Sequence, residues 1–563
     1  MMYYLKKLFK NNKNEVISFM LISLIFVVFS FLYFGKNIDF YMDCGREFYF
    51  SHEMLNGKIL YKDIFNLYTP FSYMFNAILL KIFGDNFKTF YVAGCVNAYL
   101  IVILSYVIFL KFTKNSIATA FTIFIVTCLC FSTDLMNFII PYGYSIVYGL
   151  SFALIAVLLF FNYSKTKNIK SLYLSFLSLG LMISCKLDYV LIIPAFLFIA
   201  ILKKEKFLNI LISAILSIIP ISVLFLILFF QGLTLPDLTA YFSDMLNFVT
   251  SKEFKSFYDG YAYFNMDVFI HSLTRLLILS VFFTLSILLA KYFEYSASMK
   301  KTVYTVITIV FLFFCASHYY AIARYWFSGF VYLLSLLLLF KIKDFPKNKN
   351  LFIFAIFSIM ISMKCFWGLR FIYSFGVYFA FYVIFCAYVL IRDFYLKDDF
   401  KKIFDNIVLI FLLTLTISGL DTNIFYLKSY NNHIETDKGI VYIDNLQKSL
   451  MKDTYEYLKK ESSPSDTLIF LPETFTMNYI LNLKSDGYYG SLNPMTVEAL
   501  TPLRCVESYK KTMPDWFVLV EKQVSSAYFD VPAEILSFIE DNYDLKFKKQ
   551  DALIIVRIYK LKK

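Results

Sequence analysis

Long apolar runs broken by short lysine-rich stretches set the pattern of this chain. Runs able to cross roughly 30 Å of hydrocarbon fall at about 16–35, 89–110, 116–133, 143–162, 171–185, 189–202, 207–230, 268–290, 302–318, 326–340, 350–363, 371–391 and 403–420. They predict about thirteen transmembrane helices. A further apolar stretch, 74–83, is too short to span and predicts a re-entrant or interfacial helix. Beyond Leu420 the periodicity changes. A helical pattern over about 443–460, strands at 467–471, 516–520 and 553–559, and a helix near 532–541 predict a small α/β domain with its own core. The fold class is thus a polytopic α-helical membrane protein with a C-terminal α/β domain, divided at 1–420 and 421–563.

The lysines between the runs orient the chain. With the amino terminus in the cytoplasm, every second connection is basic: Lys111 and Lys114, then Lys165, Lys167 and Lys170, then Lys203, Lys204 and Lys206. Lys291, Lys300 and Lys301 follow, then 341–349 with its lysines, and finally Arg392, Lys397, Lys401 and Lys402. Cytoplasmic loops of membrane proteins carry such an excess. This places the first external loop, 36–88, and the C-terminal domain on the outer face of the cytoplasmic (inner) membrane. Lys6, Lys7, Lys10 and Lys13 precede an apolar run too long for a signal peptide and without a small-residue cleavage site, so it reads as the first span.

Composition agrees with membrane insertion. The chain is 59% hydrophobic and only 17% charged, against about 25% in soluble proteins. The net charge of +13 does not point to nucleic acid, because residues 420–563 hold 18 Lys and Arg against 20 Asp and Glu, leaving the excess in the membrane part. The nine cysteines sit mostly in apolar runs without metal-ligand spacing and read as small apolar residues. No Walker or dinucleotide-type glycine loop is present, which argues against nucleotide hydrolysis.

Loop 36–88 is the longest polar interruption before the C-terminal domain, and it carries Asp43, Glu47, Glu53 and Asp63. A helix here would set Asp43 and Glu47, four residues apart, on one face at the membrane surface. Asp43-x-Gly45, then Leu55-x-Gly57-x-x-x-Tyr61-x-Asp63, then Pro70 and Phe83-Gly84, resembles the first external loop of the GT-C membrane glycosyltransferases. These include the family 39-like proteins, protein O-mannosyltransferases and aminoarabinose transferases. The chain departs from many relatives in carrying Asp43-Cys44 where they have adjacent Asp-Glu.

The resemblance implies transfer of a sugar, with inversion, from a polyprenyl-phosphate carrier to a hydroxyl of a lipid, glycan or protein acceptor. Membrane lipids surround the enzyme. Asp43 is the implied general base, a role typically worth 10² to 10⁴ in rate, and Glu47 joins it as the second catalytic carboxylate. Arg46, Tyr61 and Asp63 are the implied substrate-binding groups of the loop.

The distribution of cations offers independent support for a phosphate site. Only seven of the 54 cations are arginine, yet Arg46, Arg275, Arg324 and Arg370 all map to outer loops or outer membrane ends. Arginine offers phosphate a planar bidentate fork. Arg324, Arg370, Lys186 and Lys364 are expected to face the carrier phosphate, with Asp188 beside Lys186. Arg275, inside its span with His271 on the same face, is expected to meet a polar cavity or partner. No cofactor is required; a divalent ion on Asp43, Glu47 or Asp134 is compatible with the loop, but no spacing ties His52, His271 and His318 into a metal site. In the C-terminal domain Glu473, Asn478, Tyr488, Tyr489, Arg504 and Trp516 suggest acceptor recognition or simple core packing. Two other classes stay open on residues alone: a transporter or flippase of a lipid-linked or small polar substrate, and a non-catalytic envelope-assembly protein.

Overall fold

The computed structural model describes residues 13–38, 44–132, 137–252, 266–294, 296–322, 326–346, 348–363, 379–444, 448–472, 475–485, 501–522, 530–550 and 554–563. Seven described helices are long and apolar enough to cross a membrane: Lys13–Leu32, Phe87–Phe109, Tyr144–Thr166, Phe207–Gln231, Phe269–Tyr292, Ala297–Tyr319 and Asp398–Ser429. Shorter apolar helices fill most of the other expected spans, among them Asn115–Cys130, Ile169–Cys185, Leu187–Leu202, Gly329–Phe340 and Lys349–Ile361. The protein is a polytopic α-helical membrane protein with a C-terminal sheet domain.

Burial separates two kinds of span. Tyr144–Thr166 is 83% buried over its apolar window and forms the bundle centre, whereas Lys13–Leu32 and Phe207–Gln231 are 11% and 17% buried. Helices that are apolar all round yet exposed satisfy their backbone internally and show side chains to lipid. The helix Phe87–Phe109 runs close to the segment that leads into the central helix: a Cβ on Gly94 would lie 1.9 Å from the Ile139 carbonyl oxygen, so only glycine fits.

The basic connections gather on one face. Lys167 Nζ donates to the Lys203 carbonyl at 2.9 Å, Lys203 lies near Lys349, and Lys114 pairs with Asp405 at 3.2 Å. The opposite, loop-bearing face joins segments expected together at the other membrane surface. Asn37 Nδ2 donates to the Ser132 carbonyl (2.9 Å), the Tyr430 hydroxyl donates to Asn37 (3.1 Å), and the Tyr442 amide donates to the Gly35 carbonyl (2.9 Å).

The last apolar helix continues to Ser429, past the division expected at 420. A hairpin follows, β1 (Asn432–Thr436) and β2 (Gly439–Ile443), whose two-residue turn holds Lys438 at its tip; Gly439 takes φ +115° there. The main sheet contains β3 (Leu468–Leu471), β4 (Trp516–Lys522), β5 (Tyr543–Gln550) and β6 (Ile554–Leu561) in the order β3-β4-β6-β5. β3 pairs parallel with β4, and the other pairs are antiparallel. β3 and β4 lie at the anticipated positions. The hairpin and β5 went unanticipated, because β5 (YDLKFKKQ) is an edge strand with little apolar alternation.

Candidate active site

Loop 36–88 folds into two helices. The loop helix, Cys44–Leu55, has every residue from Cys44 to Glu53 buried. The short helix Phe71–Phe83 follows Pro70, whose ring suits a helix start, and ends at Gly84 with φ +100°. It corresponds to the stretch expected to be re-entrant or interfacial.

The loop helix lies between two bodies. On the side of Gly45, Phe48, Tyr49 and His52 it meets residues 475–485 of the C-terminal domain. Tyr49 stacks on Phe475 with centroids 4.8 Å apart, its hydroxyl accepts the Ser485 amide at 2.5 Å, and Phe48 meets Tyr479. Such aromatic pairs contribute about 0.5–1.5 kcal/mol beyond their buried area. On the other side Arg46 and Glu47 face the membrane helices and the loop around Tyr68, while the Phe50 ring touches both Phe475 and Tyr73.

Glu47 is the centre of that second side, with 0% exposure. Neither carboxylate oxygen has a partner at full hydrogen-bond geometry: the buried Tyr73 hydroxyl and the Tyr144 backbone N–H only approach it, and the Ser145 hydroxyl nearby has no partner of its own. A native fold rarely leaves such groups unsatisfied without a use for them. Burial pushes the Glu47 carboxyl up to about 7; Arg46, the Tyr73 hydroxyl, the Tyr144 backbone N–H and Lys186 pull the other way but do not prevail.

Two cations frame it. The Arg46 guanidinium lies 5.0 Å from the Tyr68 ring centroid and 5.8 Å from that of Tyr142, and Lys186 Nζ lies 4.6 Å from Tyr68. The Tyr68 and Tyr142 hydroxyls share a 2.8 Å hydrogen bond. Lys186, buried, pairs with the half-exposed Asp188 at 3.3 Å. Arg46, Glu47, Lys186 and Asp188, 142 positions apart at the extremes, thus converge on one site.

Other expected site residues are placed differently. Tyr61 reaches the cluster only through its hydroxyl, which donates to the Tyr68 carbonyl at 2.7 Å, while its ring packs on Phe225 and Tyr241. Asp63 accepts the Ile59 amide at 2.8 Å and shapes the loop turn. Asp43, Arg324, Lys364 and Arg370 lie outside the described residues, as do Asp134, Glu473, Tyr488 and Tyr489. Arg275 is half-buried and His271 exposed. In the C-terminal domain Asn478 donates to the Leu468 and Leu483 carbonyls and Trp516 to Asp466, so both serve the domain's own packing. Arg504 binds the buried Asp244 at 2.6 Å. Among the described residues no group of three His, Cys, Asp or Glu side chains could hold a metal ion.

Sequence reasoning missed Tyr68, Tyr73, Tyr142 and Asp85. Tyr68 stands just before Thr69-Pro70 and Tyr142 just after Pro141, polar aromatics beside chain-stiffening prolines, which was the available signal. Asp85 follows directly on the Phe83-Gly84 pair that closes the loop.

No protein family's sequence profile matches the chain, and no curated protein matches it significantly. Among solved structures it is similar to the apo Archaeoglobus fulgidus oligosaccharyltransferase, with 12% identity and a TM-score of 0.46, covering 91% of this chain and 70% of that one. A structure of the same organism's oligosaccharyltransferase AglB with an inhibitory peptide and a dolichol-phosphate gives 11% identity and a TM-score of 0.42 over 88% of this chain and 69% of that one. ArnT from Cupriavidus metallidurans bound to undecaprenyl phosphate gives 10% identity and a TM-score of 0.47 over 96% of this chain and 97% of that one.

Proposed function

We propose that this chain is a membrane glycosyltransferase of the GT-C kind, moving a sugar from a polyprenyl-phosphate carrier to an acceptor hydroxyl on the outer face of the cytoplasmic membrane. The observation that carries the reading is the buried, unsatisfied Glu47 framed by Arg46 and Lys186 within the loop whose residues match the superfamily pattern. Perturbed carboxyls in such settings mark sites of proton handling and charge stabilisation.

In the proposed reaction Asp43 takes the proton of the acceptor hydroxyl as its oxygen attacks the anomeric carbon. The bond from that carbon to the phosphate oxygen breaks, the configuration inverts, and polyprenyl monophosphate leaves. Arg46 and Lys186, with Arg324, Lys364 and Arg370, balance the charge gathering on the phosphate. Glu47, titrating near neutrality, suits holding or releasing a proton in the same loop. No step requires a metal ion.

The test is Asp43→Asn in the full-length protein. Sugar transfer is expected to vanish while folding and binding of undecaprenyl phosphate persist. Transfer that survives the substitution would overturn the reading. Mass comparison of envelope glycans with and without the protein would name the sugar and acceptor.

A further inference from the structure

A second polar centre lies at the other end of the loop helix, where no substrate role has been assigned. Asp85, between the short helix and the span Phe87–Phe109, accepts hydrogen bonds from three directions. His52 Nδ1 of the loop helix lies 2.7 Å away, the Tyr479 hydroxyl lies 3.1 Å away, and Lys438 Nζ at the hairpin tip pairs with it directly. Asn56 Nδ2 donates to His52 Nε2 at 3.0 Å, which sets the tautomer that donates to Asp85. The Lys438 ammonium also lies 5.0 Å from the Tyr479 ring centroid, and the Phe87 amide donates to the Lys438 carbonyl at 2.9 Å. His52 and Lys438 are only 7% and 9% exposed.

One carboxylate therefore joins the loop helix, the membrane bundle and two separate segments of the C-terminal domain. Exposed ion pairs contribute little, but a buried charge that loses its partner is strongly unfavourable, so this junction admits one arrangement. Glu47 lies five residues from His52 on the same rigid helix. Its distance to the tyrosines and cations of the membrane side is set by how the helix is held from the domain side.

We propose that Asp85 is a positioning residue that clamps the loop helix between the membrane bundle and the C-terminal domain, making that domain a working part of the Glu47 site. The proposal rests on the glycosyl-transfer reading of that site. The test uses full-length protein in nanodiscs, with Asp85→Asn and, in case that variant folds poorly, Lys438→Gln, which leaves the His52 contact in place. Hydrogen exchange of the amides over 44–55 is expected to speed by about tenfold or more, while β4 amides keep their rate. The infrared carboxyl band that Glu47→Gln removes is expected to shift its pH midpoint down by about one unit or more as the helix loosens. Asp85→Glu, keeping the charge, should recover part of both. Unchanged exchange over 44–55, or a Glu47 band that keeps its midpoint, overturns the clamp. Transfer surviving in Asp43→Asn instead overturns the glycosyl-transfer reading and leaves these two readouts untouched.

Discussion

Glu47 is a carboxyl whose charge the fold does not fully support. Its folded value of about 7 stands above the usual 4.5 because burial outweighs Arg46 and Lys186. The sign follows from linkage: a raised carboxyl favours the fold while protonated, and that advantage is lost as pH rises from the unfolded value through 7. Above that range the folded protein carries the buried carboxylate at a cost on the order of 3 kcal/mol. Glu47→Gln is therefore expected to raise the thermal midpoint at pH 8 and leave it nearly unchanged at pH 4, as calorimetry in detergent would report, while abolishing transfer. Lys186→Met takes away a cation that lowers the Glu47 value, so the carboxyl should titrate higher still. Binding of undecaprenyl phosphate, followed by native mass spectrometry, should weaken about tenfold or more, the usual scale for losing a charge-assisted contact.

At the scale of elements, the loop helix depends on close approach to the C-terminal domain. A Cβ on Gly45 would lie 2.5 Å from the Thr476 amide nitrogen and 2.6 Å from its hydroxyl, so the helix and the Thr476–Leu481 segment fit only with glycine there. Gly45→Ala should force them apart and destabilise the junction by about 1–3 kcal/mol, with faster proteolysis of the loop as the readout. Gly45 belongs to the loop motif for a reason visible only in three dimensions. The motif's Asp63 and Tyr61 likewise turn out to shape the loop: Asp63 holds the Ile59 amide, and Tyr61 braces the Tyr68 backbone beneath the cations.

At the scale of the whole molecule, contacts among lysine-bearing connections on one face, and among residues 35–37, 132, 430 and 442 on the other, give the bundle two distinct ends. With the proposed orientation, Lys562→Cys should react with an impermeant maleimide on intact cells, and Lys204→Cys only after permeabilisation. The spans, the lysine alternation and the acidic loop were legible in the sequence, because hydrocarbon thickness and charge placement act on composition over twenty-residue windows. So were Arg46, Glu47 and Lys186 as chemically charged choices, since charged groups in an apolar chain stand out singly. What the tertiary structure alone decided is which of them meet. Lys186 comes from a turn far along the chain, Tyr68 and Tyr142 are common aromatics until their rings face the two cations, and Asp85 gains its importance from Lys438 and Tyr479, more than 350 residues away. Local composition carries no record of such encounters, because they arise from packing between distant segments rather than from the preferences of either segment by itself.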